Sequence, residues 1–453
     1  MTNAHSMRNA GDRVLLEVTL EELRANFPDS ELTVAINNLR GLENCDQASY
    51  VGSFMSWFKS TEEDIERWQW RHLPMLPWWM VQSWLVALTG RYLNHPWPMP
   101  KNRARRDLLS AYYQADLIVS CPGNFFYSGS GLGAAFLLHV YALAYGSLLG
   151  RPLYMMPQTI GPLTRRRERW LLGGILKQMR FVALRDNPSL APVVALGVTA
   201  ARCHVLPDSA FLFRGSGDLR PFTALVARRS QELSNASTAQ LSVDEELPRP
   251  YIGVTIIDWA AKNRRFARQA IYESAIAGAL SSFLAHHGGT IFIFPQVTGP
   301  SYAEDDRRPA SRVAGMLGAY QSQVVQINSV WSPGQLKAAY GQMDLFLGTR
   351  LHSNIFALTA GTPILAIAYQ YKTHGVLEML GLSDWVIDIE DVDEPQLAER
   401  LELLWQMRVE VRALIQRRLP AFQQEAHKAA AWIAADYFQL VLASRKRPIL
   451  RSG

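Results

Sequence analysis

Apolar runs of strand length alternate with longer amphipathic stretches along most of this chain, and most runs stop at a glycine, a proline or a polar residue. In the N-terminal half, residues 31–36, 116–120, 152–156, 181–184 and 205–206 read as strands. Between them, residues 13–26, the apolar stretch from Gly133 to about Leu149 and residues 165–177 read as helices. The strand ends present Asn124, Gln158, Arg185 and Asp208 in sequence, the arrangement expected along one rim of a doubly wound sheet. The same grammar returns after a stretch rich in Ser, Asn, Arg and Pro, with strands at 251–257, 290–294, 345–347 and 364–368. Beyond Pro395 the pattern is helical and amphipathic to about Ala443.

These elements predict an α/β protein of two Rossmann-like domains facing across a cleft, with a C-terminal helix returning over the junction, a GT-B-like architecture. The expected boundaries are 1–214 with an insert at about 50–105, a linker at 215–250 with a helix only at 224–233, a second domain at 251–394, and helices with a basic tail at 395–453. Residues 343–372 carry the clearest chemistry. A buried strand breaks at Gly348-Thr349, a short helix follows at about 354–359, and Gly361-Thr362-Pro363 stops it before the next strand. Arg350 and His352 thus stand at the carboxyl end of a parallel strand, where open α/β sheets bind ligands and a helix N-terminus favours an anion. Lys372, at the carboxyl end of the next strand, adds a third basic group. An ion pair at a strand end for Arg350, and a helix-capping role for His352, are the structural alternatives.

At 453 residues, two domains with appendages are expected, and 48% hydrophobic with 19% charged residues marks a folded chain. The net charge of +6 suits an anionic substrate or a membrane surface. No basic run interleaved with aromatics points to nucleic acid. Three dispersed cysteines, Cys45, Cys121 and Cys203, have no metal-ligand spacing and fit a reducing compartment, and no metal is expected. The polar N-terminus does not read as a signal peptide. Residues 132–149 carry His139, Ser147 and two glycines, and are not read as a membrane span. Gly129-Ser130-Gly131-Leu132-Gly133-Ala134 formally fits a dinucleotide fingerprint, but eight residues separate it from the strand and the next strand ends in Gln158, so no dinucleotide cofactor is expected. Residues 54–100 hold seven of the thirteen tryptophans, with Lys59, Arg67, Arg71 and Arg91 among them. They read either as aromatics packed onto the first domain or as an interfacial surface, since tryptophan and cations favour the headgroup boundary; aromatic faces also suit sugar rings.

An ordered series of motifs resembles the polysaccharide pyruvyl transferase family. It runs through Asn9-Ala10-Gly11-Asp12, Gly123-Asn124, Pro157-Gln158-Thr159-Ile160-Gly161-Pro162, Arg185-Asp186 and Pro207-Asp208. It continues with Pro295-Gln296, Asp305-Asp306-Arg307, Arg350-Leu351-His352 and Tyr369 to Lys372. Pro122-Gly123 departs from the glycine pair frequent in the family, and the insert has no counterpart. The resemblance implies transfer of a pyruvyl group from phosphoenolpyruvate to two sugar hydroxyls, forming a cyclic ketal and releasing phosphate, with no other cofactor. It implies Arg350 and Arg185 as grips on the donor from the two domains and His352 as the acid that protonates the vinyl carbon. Asp208 or Asp12 would be the base, with Lys372, Asn124, Gln158 and Gln296 as further substrate-binding groups. The implied acceptor is a glycan or its lipid-linked precursor; a cytoplasmic protein is expected, with the tryptophan-rich insert as the place of any peripheral contact at the inner face of the cell membrane. Glycosyl transfer from a nucleotide sugar, with Glu378 or Asp388 on the ribose, is the alternative; a scaffold built on the tryptophan insert is a third.

Overall fold

A computed structural model describes every residue except 41, 43–46, 63–64, 69, 130–132, 216, 237–246, 264, 300–303 and 446–453, with backbone alone for 60–62, 65–68, 70, 71, 73 and 445. Cys45, half of the 129–134 motif, the 244–246 acidic patch, nearly all of the basic tail and the side chains of Arg67, Trp68, Trp70 and Arg71 lie outside the described residues. The chain forms two units. The first contains Met1–Met7, Leu15–Leu212 and the chain from Gln423 onward, and the second Arg8–Val14 and Phe213–Phe422.

Along the first half run α1 (Ala10–Asn26), the parallel pair β1 (Thr33–Ile36) and β2 (Ser49–Gly52), the hairpin β3 (Lys59–Glu62) and β4 (Ile65–Trp68), and helices α2 (Leu76–Leu93) and α3 (Arg103–Gln114). Next come β5 (Ile118–Ser120), β6 (Gly123–Phe126), α4 (Ala134–Leu148), β7 (Leu153–Ile160), α5 (Arg166–Leu176), β8 (Phe181–Leu184), α6 (Leu190–Ala195) and β9 (Cys203–Val205). Strands β5, β7, β8 and β9 lie side by side in parallel, and β6 pairs with the carboxyl half of β7. All eight residues of β7 are buried, as both-face coverage of a parallel sheet requires, and its first four residues read as an apolar run. The glycine-rich loop expected at 121–133 therefore contains a strand.

The second half contributes α7 (Arg220–Ala236), β10 (Tyr251–Thr255), α8 (Trp259–Lys262), α9 (Gln269–His287), β11 (Thr290–Ile293), α10 (Arg307–Met316), β12 (Val324–Gln326) and α11 (Pro333–Tyr340). It continues with β13 (Leu345–Gly348), α12 (Leu351–Thr359), β14 (Ile364–Ala368), α13 (Tyr371–Leu380), β15 (Val386–Asp388), α14 (Glu394–Gln406) and α15 (Arg408–Arg445). Its sheet is wholly parallel in the order β12-β11-β10-β13-β14-β15. The order reverses between β10 and β13, and the carboxyl ends at such a switch point are where a doubly wound sheet receives ligands.

The units divide the chain differently from the expected boundaries in one place and extend an expected helix in another. Residues 8–14 belong with the second unit rather than the first. The stretch at 215–250 carries a longer helix than expected, α7, whose Phe222 packs 5.1 Å from the Phe292 ring of the second sheet. The C-terminal helix returns to the first unit, as expected. Its Ala429, Ala430, Ile433 and Ala434 complete the core of the first unit against Tyr154, Met156, Phe181 and Ala183, and Asp436 accepts from Tyr154 Oη at 2.8 Å.

Candidate functional site

The site residues of the second unit hang from the carboxyl ends of β10, β13 and β14. Strand β13 turns directly into α12 at Gly348, where a Cβ would stand 1.8 Å from Asn354 Oδ1. Only glycine fits there, and Asn354 Nδ2 donates to the Gly348 carbonyl at 3.0 Å to hold the turn closed. The helix begins at Leu351, earlier than expected, so Arg350 occupies its N-cap position and His352 its first turn.

Arg350 is buried and paired with buried Asp306, with Nη2 2.5 Å from Oδ1 and Nε 3.2 Å from both carboxylate oxygens. Burial alone would lower the guanidinium pKa, but Asp306 raises it above its ordinary value, so the charge is locked in place. Asp306 also accepts from the backbone N–H groups of Gln296 at 3.2 Å and Val297 at 2.9 Å. Gln296 is buried, its Oε1 accepts from Tyr340 Oη at 2.8 Å, and its Nε2 has no hydrogen-bond partner among the described residues. A buried amide N–H held this way is costly unless something accepts from it.

His352 rests on the N-terminal motif. A Cβ on Gly11 would lie 2.0 Å from His352 Nδ1 and 2.4 Å from Cγ, so the imidazole packs onto bare backbone that only glycine supplies. Asn9 Oδ1 accepts from the N–H of Gly11 at 3.0 Å and of Asp12 at 3.4 Å, and Asn9 bridges to Val297. Residues 9–12, 296–297, 306 and 350–352 are thereby stitched into one cluster. The N-termini of α1 and α12 both meet at His352, and their helix dipoles give the place a positive potential.

Lys372 stands in the first turn of α13, with Nζ 5.3 Å from the Tyr369 ring centroid. Burial pushes the Tyr369 phenol up, yet Lys372, Arg350 and Lys262 together bring it below its ordinary value. Lys262 is itself 2.7 Å from Glu304, and Trp259 packs on Tyr369 with ring centroids 4.8 Å apart. Three cations thus surround one phenol, two of them, Arg350 and Lys262, paired with carboxylates.

The rim of the first unit is different. Arg185 is 1% exposed, donating through Nη1 to Asp208 at 2.7 Å and through Nε to Thr159 at 2.8 Å. Asp208 is equally buried and also accepts from the Ala210 N–H at 2.9 Å. Gln158 is buried, with its amide donating to Ser120 Oγ at 3.0 Å and to the Cys121 carbonyl. Arg185 and Asp208, expected as a grip on the donor and as a base, are each other's buried partner. Gln158 has its amide nitrogen bonded at the sheet rim, and its Oε1 has no partner among the described residues. Asn124, half-buried in β6, keeps an accessible position. His139 is sequestered, with Nδ1 3.0 Å from Asn3 Oδ1 and a pKa pushed down to about 3 by burial.

Sequence reasoning passed over Asp306 as the partner of Arg350, Gly11 as the seat of His352, and Tyr369 with Lys262. The Asp305-Asp306-Arg307 and Asn9-Ala10-Gly11-Asp12 motifs were the available signals, but nothing in a linear pattern joins residue 11 to residue 352.

A family model described as polysaccharide pyruvyl transferase matches residues 9–371, which begins at the Gly11 motif and ends beside Tyr369. The amylovoran biosynthesis protein AmsJ of Erwinia amylovora is 28% identical over 284 residues, 62% of this chain and 63% of that protein. The chain thus spans under two thirds of the curated relative it matches. Among solved structures, Anabaena Alr3699/HepE in complex with UDP-glucose superposes with a TM-score of 0.52 at 12% identity, covering 98% of each chain. UDP-GlcNAc 2-epimerase from Neisseria meningitidis bound to UDP-GlcNAc gives 0.52 at 9% identity, covering 97% of this chain and 98% of that one. These likenesses establish the GT-B-like fold class of paired Rossmann-like units. With a match across residues 9–371, the chain belongs to the polysaccharide pyruvyl transferase family.

Proposed function

We propose that the protein transfers a pyruvyl group from phosphoenolpyruvate to two hydroxyls of a sugar, in an exopolysaccharide or its lipid-linked precursor, releasing phosphate and leaving a cyclic ketal. The observation that carries this reading is His352, seated on Gly11 where two helix N-termini meet, beside an Arg350 fixed by Asp306. The donor brings a carboxylate and a phosphate, and Arg350, Lys372 and Lys262 supply fixed positive charge for them. Gln296 Nε2 offers a hydrogen bond to a donor oxygen.

His352 gives a proton to the methylene carbon, and the first sugar hydroxyl adds to the adjacent carbon as positive charge develops there. Asp12, next to Gly11, accepts that hydroxyl's proton. Loss of phosphate regenerates an electrophilic centre that the second hydroxyl closes. One hydroxyl proton ends on the new methyl group and the other leaves with phosphate, so the exchange balances. The same cations stabilise phosphate as it departs. The protein works in the cytoplasm, at the inner face of the cell membrane where its acceptor is built.

For the nucleotide-sugar alternative, Asp388 stands 3.2 Å from His374 at the end of β15. Incubation with an acidic exopolysaccharide precursor and either phosphoenolpyruvate or UDP-sugars separates the two readings. Phosphate release with a ketal methyl signal on the glycan is expected; UDP release without it overturns the reading.

A further inference from the structure

We propose that the groove between α2 and α4 holds a hydrocarbon chain of an anionic membrane lipid, while the outer face of α2 and Trp170 of α5 lie in the headgroup layer. The groove has a volume of about 710 Å³. One wall is the stripe Leu76, Met80, Trp84 and Leu88, four residues apart on α2, and Leu138 and Leu148 of α4 stand on the other. The hydroxyl of Tyr141 is already bonded to Ser83 at 2.6 Å, so its ring adds only apolar surface. Apart from the Tyr145 hydroxyl, which has no partner among the described residues, the lining is apolar; it suits a chain of methylenes and gives a sugar or a nucleotide little to bond.

The groove is continuous with an exposed apolar face. Trp84 is 49% exposed while lining it, Trp78 is 54% and Trp97 62% exposed, and Val81, Leu85, Tyr92 and Leu93 are open as well. Of the tryptophans in the insert whose side chains are described, Trp57 is buried and Trp79 packs edge-on against it at 6.2 Å, so packing and surface roles fall on different residues. Contiguous apolar exposure of this extent marks an interaction site rather than ordinary surface. On α5, Leu171 lines the groove and the adjacent Trp170 is 78% exposed.

Charge selects the occupant. Arg91 donates to the Leu148 carbonyl at 3.1 Å and so sits at one end of the groove. Arg165 and Arg167 flank Gly133 at the other end, with exposed Arg166 and Arg169 beside them. Cations at both ends and tryptophans between them match an anionic bilayer surface. A second copy docking the same face would bring like charges toward each other, because a two-fold contact pairs identical patches. Among the described residues no helix is long and apolar enough to cross a membrane, so α2 lies on the bilayer rather than through it. The proposal deepens the membrane placement given above and not the chemistry. Vesicle binding is measured without donor or acceptor, so its failure leaves pyruvyl transfer standing.

The test is flotation of the full chain with phosphatidylglycerol vesicles and, separately, phosphatidylcholine vesicles. Binding to the first, weakened by salt, is expected, with far less binding to the second. Arg91→Glu and Arg167→Glu are exposed changes that leave the core alone, and each is expected to lower the partition constant about fivefold or more. Trp84→Glu with Leu88→Glu is expected to abolish binding with the circular dichroism spectrum unchanged. Equal binding to both vesicle types, or flotation intact in the Trp84/Leu88 variant, would overturn the proposal. So would a wild-type dimer that this variant splits, with neither form floating.

Discussion

At the scale of single residues, the sequence marked side chains whose surroundings only the fold supplies. Arg350 and His352 were legible because a strand break followed by a helix start is written in local pattern. Their supports were not, since Asp306 and Gly11 reach them only through tertiary contact. Gly11 offers the sharper check. Gly11→Ala drives a methyl group into the imidazole, and His352 must swing away. A displacement near 1 Å at a reacting group costs on the order of 10²-fold, so turnover should fall by about that much while the circular dichroism spectrum and donor affinity stay near wild type. Turnover within twofold of wild type would show that the imidazole position does not matter. Arg185 makes the opposite prediction. Removing one partner of a buried pair strands the other charge, so Arg185→Ala should destabilise the fold by roughly 3–5 kcal/mol in denaturant titrations. The surviving folded fraction should bind phosphoenolpyruvate with unchanged affinity, whereas a loss of affinity without a loss of stability would return Arg185 to the binding site.

At the scale of elements, the apolar runs located most strands because parallel strands covered on both faces carry little else. The misses have local causes. Strand β7 continues through Pro157, where a proline ordinarily ends a strand; here the pairing with β8 is irregular between Met155 and Gln158, so the missing N–H falls at a break in the ladder. Strand β6 begins at Gly123 and pairs irregularly, which makes it look like loop. Helix α4 was read as an apolar buried helix, and burial there sets a pH response. His139 keeps a folded pKa near 3 against an ordinary 6.5, with burial the main cause. The unfolded chain therefore binds a proton that the folded one refuses between these values. Stability from this group is complete above about pH 6.5 and is lost as pH falls toward 3. Urea midpoints measured from pH 7 to 4 should decline less steeply in His139→Gln than in wild type, and identical slopes would show that His139 is not the titrating group.

At the scale of the whole molecule, the pattern gave two α/β halves but only part of how the chain is shared between them. Residues 8–14 cross into the second unit, and the chain from Gln423 returns to the first. The return of the C-terminal helix was expected, whereas the crossing of residues 8–14 has no sequence signature, because periodicity reports which face of a helix is buried and not what buries it. That crossing matters for function: it puts the N-terminal Asn9-Ala10-Gly11-Asp12 motif beside His352, and the family match spans both. The account therefore stands on His352 as the proton donor within this composite site. Steady-state kinetics of His352→Gln with phosphoenolpyruvate test it most directly, since glutamine keeps hydrogen bonding but cannot deliver a suitably acidic proton. General acid catalysis is worth about 10²–10⁴-fold, so kcat should drop by that range while KM for the donor stays within a few-fold. A kcat close to wild type with a KM raised tenfold or more would contradict the account, making His352 a phosphate ligand and moving the proton to another group.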